Sequence, residues 1–127
     1  MSDYTRIVQE LMVEEWPGRM PQLHFKHLPG RCVAIIEARH PVRGALALGV
    51  GADHGEACRM LLRQLSSAVF TLSAEEVARV LGITRGAVRQ RVARGTLRPV
   101  IAGAGPMAAR FAPGDVAAAD AYLCGNN

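Results

Sequence analysis

Residues 71–95 read TLSAEEVARVLGITRGAVRQRVARG, and this stretch decides how the chain is parsed. Ser73 is placed to cap a helix, Glu76 three positions on can reach back to the cap, and Leu72 and Val77 flank it as a hydrophobic staple. Thr84 repeats the device, with Ile83 before it and Val88 as the fourth helical residue. Gly82 lies between the two starts, where the first helix needs a residue that enters the left-handed region without strain. The stretch therefore predicts two short helices separated by Gly82, Ile83 and Thr84, a helix-turn-helix whose second member can enter a DNA major groove.

Charge points the same way. Arg85, Arg89, Arg91, Arg94 and Arg98 follow Thr84 with no acidic residue among them. On a helical period Val88 and Val92 mark the buried line, and Gly86, Gln90, Ala93 and Arg94 fall broadly opposite, with Arg85 and Arg89 on the flank. Such a surface suits a polyanion.

The run LSAEEVARVLGITRGAVRQRVARGTLRP, a hairpin AGAGPMAARFAP and a closing GDVAAADAYL resemble the MerR-like, excisionase-type family of winged helix-turn-helix DNA-binding domains. The resemblance covers Thr71 to about Leu123, under half the chain. It implies that the second helix lies in the major groove with Thr84, Arg85, Gly86, Arg89 and Gln90 upon it. Arg91, Arg94, Arg98 and Arg110 complete the expected DNA-contacting set. The chain departs from the family twice. Arg91 stands where relatives often carry an aromatic, and the hairpin tip, Gly103 to Ala108, is apolar, leaving Arg98 and Arg110 at its base.

The whole composition agrees with a nucleic-acid partner. Half of the 127 residues are apolar and a fifth charged, as in a globular protein. The net charge is +4, and it is uneven. Residues 1–70 hold eight basic and seven acidic side chains, whereas residues 71–127 hold seven basic and four acidic. The excess travels with the helix-turn-helix. No apolar run reaches the roughly 18 residues of a membrane span and the polar start MSDYTR is no signal peptide, so a cytoplasmic protein is expected.

Ahead of this region the pattern is helix, three strands, helix. DYTRIVQELMVEEW places Tyr4, Ile7, Val8, Leu11, Met12 and Trp16 at helical spacings until Pro17 and Gly18. QLHFKHL, CVAIIEA and ALALGVG then read as short strands separated by Pro29–Gly30 and by a turn with Pro41 and Gly44. Asp53 can cap a helix from His54 to about Ala68, with an apolar stripe of Ala57, Met60, Leu61, Leu65 and Ala68. The fold class expected is α+β: an α-β-β-β-α domain over 1–70 followed by a winged helix-turn-helix over 71–127, with both N-terminal helices on one sheet face.

The N-terminal order is similar in topology alone to double-stranded-RNA-binding domains and to HicB-type antitoxin domains. RNA binding does not transfer, because the lysine cluster that family uses at the start of its last helix is replaced here by Asp53 and Glu56 in GADHGEACRM. A free sheet edge offered by CVAIIEA or ALALGVG could instead support a homodimer or another protein contact.

No catalytic, cofactor or metal site is expected. Ser66 and Ser67 have no placed histidine, Glu14 and Glu15 adjoin on a helix surface, and Gly49-Val50-Gly51 lacks the rest of a nucleotide-binding fingerprint. Cys32, Cys58 and Cys124 contain no CxxC pair and read as reduced thiols. His24 and His27 have a ligand-like spacing, but no cysteine or carboxylate cluster completes a set in sequence, so His24, His27, His40 and His54 read as surface or hairpin residues. The function expected is a sequence-specific double-stranded-DNA-binding regulator, with Arg85 and Arg89 suited to guanine or phosphate and Gln90 to adenine. The alternatives are an architectural or assembly protein of the excisionase or small-terminase kind, and an antitoxin-like DNA-binding protein with a toxin partner.

Overall fold

Strand pairing in the N-terminal region begins at Pro29–Gly30. Gly30 takes φ +75°, a conformation costly for a residue with a Cβ, and the chain reverses there. Strand β1 (Gln22–Leu28) thereby pairs antiparallel with β2 (Arg31–Ala38), and β2 pairs antiparallel with β3 (Gly44–Gly51), giving the order β1-β2-β3. The computed structural model of the protein describes residues 3–101, 109–120 and 123. Its contacts divide the chain into two units, Met1–Phe70 and Thr71–Asn127. Together they form an α+β protein with a three-stranded antiparallel sheet and five helices among the described residues.

In the first unit, helices α1 (Asp3–Glu15) and α2 (His54–Ser67) pack against each other, and α2 lies against β2 and β3. Val8, Met12, Ala34, Ile36, Ala47, Ala57, Cys58 and Leu61 form one buried cluster, with Trp16, Leu23, Phe25 and Phe70 around it. Register places Leu23 opposite Ile36 and Phe25 opposite Ala34, so one face of the sheet meets both helices. Asp53 caps α2 as expected, accepting from the Glu56 amide at 2.9 Å.

Two glycines set how close α2 comes. A Cβ on Gly49 would overlap the Ala57 carbonyl oxygen, and one on Gly51 would overlap the Glu56 side chain and sit 2.8 Å from the Ala57 amide nitrogen. The GVG run is thus explained by packing: a bare backbone lets the first turn of the helix rest on the strand.

Three expectations change. The apolar stripe of α1 is narrower than the sequence spacing implies: Val8 and Met12 are buried, whereas Tyr4, Ile7 and Leu11 are 41%, 38% and 36% exposed. Only the line through positions 8 and 12 reaches the cluster. The strand CVAIIEA is the central strand, paired on both sides, and so has no free edge. The outer edge of ALALGVG is engaged as well: the Val50 amide donates to Met60 Sδ at 3.4 Å and Gln64 Nε2 donates to the Leu48 carbonyl at 2.8 Å. Pairing between copies through either strand would have to displace those contacts.

In the second unit β4 (Leu72–Ser73), α3 (Ala74–Leu81), α4 (Arg85–Ala93), β5 (Arg110–Phe111) and α5 (Pro113–Ala118) follow in order. Leu72 and Ser73 pair antiparallel with Phe111 and Arg110, and Ile101 bridges Arg110 from the other side. Val77, Val80, Val88, Leu97, Phe111 and Val116 are buried. Tyr122, expected to help cover the core, and the hairpin tip from Gly103 to Ala108 lie outside the described residues. No helix among the described residues is long and apolar enough to cross a membrane.

Candidate nucleic-acid interface

The local order around α3 and α4 follows from side-chain chemistry in the quoted stretch. Ser73 and Glu76 form a reciprocal capping box: the Glu76 amide donates to Ser73 Oγ at 3.1 Å, and the Ser73 amide donates to Glu76 Oε1 at 2.8 Å. Two amides that no helical carbonyl can satisfy are thereby bonded. At the other end Gly82 has φ +69°, and the Ile83 amide donates to the Ala78 carbonyl at 3.0 Å, the six-to-one bond of a Schellman ending.

Thr84 then opens α4, its Oγ1 accepting from the Ala87 amide at 3.0 Å. The helix closes in a second such ending, with Gly95 at φ +78° and the Thr96 amide donating to the Arg91 carbonyl at 2.9 Å. Both ends of α4 are therefore fixed by bonds that use named residues of its own sequence.

Exposure sorts the expected DNA-contacting residues into two groups. Thr84, Arg85, Gly86, Arg89, Gln90, Arg94 and Arg98 are exposed, while Val88 is buried and Val92 half-buried. The exposed group carries four guanidinium groups and no carboxylate. Gly86 sits in the first turn of α4 with open space beside it, since a Cβ there would meet only Thr84 Oγ1 at 3.8 Å. The first-turn amides also present the positive end of the helix dipole on this side.

Arg91 and Arg110 are engaged inside the unit. Arg91 Nη1 donates to the Ala119 carbonyl at 3.4 Å, tying α4 to the end of α5. Arg110 donates from Nε to Thr71 Oγ1 at 3.1 Å and from Nη2 to the Thr71 carbonyl at 2.6 Å. Both side chains are half-buried. Arg91, expected among the DNA-contacting residues, acts instead as a polar tie between α4 and the end of α5. Neither engagement is visible in sequence, because each partner is a backbone or hydroxyl group at least 28 residues away.

No family model, curated protein sequence or solved structure matches this chain.

Proposed function

We propose that the protein binds double-stranded DNA through its C-terminal unit, as a winged helix-turn-helix with α4 in the major groove, and acts as a sequence-specific regulator in the cytoplasm. The observation that carries the reading is the exposed, acid-free face of α4, which presents Arg85, Arg89, Gln90 and Arg94 behind a helix start held by Thr84. In a major groove, arginine offers a bidentate fork to guanine and glutamine one to adenine. Phosphates would be held by Arg98, by whichever of these arginines does not grip a base, and by the amides at the start of α4.

The hairpin base supports the same reading. Ile101 and Arg110 bridge, β5 pairs with β4 on its far side, and Arg110 braces Thr71. A wing built this way would stand on the strand that leads directly into α3. Two copies of so small a reading surface would be needed for a site of useful length, which favours a homodimer on half-sites about 10 base pairs apart.

The experiment is selection of bound duplexes from random sequence by the full chain at one near-physiological salt concentration, followed by stoichiometry on the selected sequence. The expected result is a repeated half-site occupied by two copies, with Arg89→Ala weakening specific binding by about 1–3 kcal/mol if Arg89 holds a base. Spreading along DNA without a boundary would point instead to an assembly role. Indifference to every duplex at low salt would end the proposal.

A further inference from the structure

We infer that His27, Cys32 and His54 form a binding site for a zinc-class divalent ion in the N-terminal unit. The three ligand atoms lie within 4.8 Å of one another. The site is assembled by the fold from residues that sequence spacing does not associate. His27 and Cys32 are direct cross-strand partners on β1 and β2, so their side chains share a face. His54 is the first residue of α2. It reaches them because Gly51, the partner of Cys32 on β3, has no Cβ to keep the helix start away.

The imidazoles are already set for an ion. His54 Nε2 and His27 Nε2 face each other at 3.1 Å. With metal–nitrogen bonds of about 2.05 Å, that separation corresponds to an N–metal–N angle of about 98°, close to tetrahedral. The His54 ring is held by stacking on Phe25, with centroids 3.9 Å apart and planes inclined by 7°. Cys32 is 2% exposed and forms the inner wall, whereas both histidines are exposed, which leaves a path for the ion and an outer position for water. A tetrahedral ion needs about 3.6 Å between sulfur and nitrogen ligands, so the thiol and the rings close by at most about 1.2 Å on binding.

Two imidazoles and a thiolate select zinc, or cobalt as its spectroscopic substitute, over the hard ions calcium and magnesium. Burial and the neighbouring Cys58 and Asp53 hold the free Cys32 thiol above its ordinary range. The ion displaces that proton: the S–H bond breaks, a sulfur–metal bond forms, and one proton leaves to solvent. Asp53 then supplies negative charge beside the ion. Binding ties β1, β2 and the start of α2 together.

The test uses the full chain, reduced and stripped of metal. One equivalent of Co²⁺ should give a thiolate-to-metal charge-transfer absorption in the near ultraviolet, and Zn²⁺ should displace it. Cys32→Ser should abolish that absorption. His27→Gln and His54→Gln should each weaken binding about tenfold or more, with His24→Gln, on the other side of the sheet, unchanged. X-ray absorption of the zinc-loaded natural sequence needs no variant and should show one sulfur with light-atom ligands. Lack of stoichiometric uptake, a shell without sulfur, or equal sensitivity to His24→Gln and His27→Gln would overturn the site and leave a hydrogen-bonded histidine pair.

Discussion

Salt dependence separates the arginines that face solvent from those that hold the unit together. Arg85, Arg89, Arg94 and Arg98 are exposed, whereas Arg91 and Arg110 are half-buried and bonded to Ala119 and Thr71. Each phosphate contact contributes about 0.9 to the slope of log affinity against log salt, so four contacts give a slope near −3.6 per copy. Between 50 and 200 mM salt, one contact is then worth about 0.5 log units, or about 0.7 kcal/mol, and four together about 150-fold. Fluorescence anisotropy on the selected duplex across that range measures the slope. Replacing an exposed arginine by alanine should remove about 0.9 from it, unless that residue grips a base; such a variant loses affinity with an unchanged slope. Arg91→Ala and Arg110→Ala should leave the slope alone and instead lower folding stability by about 1.5–3 kcal/mol, the worth of hydrogen bonds from a charged donor. A flat response in all four exposed variants, or a slope change with Arg91→Ala equal to that with Arg89→Ala, would refute the assignment.

Gly49→Ala and Gly51→Ala should each destabilise the N-terminal unit by about 1–3 kcal/mol or more, because the added methyl meets helix backbone or its first side-chain atom; urea denaturation reads this directly. Ser73→Ala should cost about 1 kcal/mol through loss of the α3 cap, with Glu76→Ala adding little in that background since the two bonds are reciprocal. His24 is held below the ordinary histidine range, chiefly by burial and then by Lys26 and Arg43, against an opposing pull from Glu37. The folded state thus binds this proton less readily than the unfolded chain. Its contribution to stability is present above about pH 6.5 and is lost as pH falls through the folded value. Denaturation midpoints at pH 7.5 and 5.5 should converge in His24→Gln relative to the natural sequence. The buried Cys58 thiol is raised chiefly by burial, so alkylation in the folded protein should be slow at neutral pH and accelerate on unfolding, as mass spectrometry of quenched samples would record.

Much of the architecture is legible because local signals and the fold agree. Asp53, Ser73, Gly82 and Thr84 each do in three dimensions what their chemistry predicts. What escapes is whatever depends on a distant partner. The face of α1 that is buried is chosen by the cluster it joins, so spacing alone includes Ile7 and Leu11 wrongly. The central position of β2 was recoverable, since two short connections make consecutive strands pair and leave the middle one without an edge. The histidines illustrate the period of a strand. His24 and His27 are three apart, which puts them on opposite faces, while His27 meets a cysteine across the turn and a histidine 27 residues further on. For the candidate interface, the helix and its exposed arginines were readable, but the inward duties of Arg91 and Arg110 were not.

Among the described residues only Thr84 Oγ1 comes near a Cβ placed on Gly86, at 3.8 Å, and an alanine there would favour the helix by up to about 1 kcal/mol. The molecule can therefore be made sturdier at that spot by a single methyl, and the same methyl would stand off any polymer lying against the opening turn of α4. A variant that melts later yet grips its duplex less tightly would reveal the bare backbone as a seat for the ligand, and one that gains on both counts would reveal an idle gap.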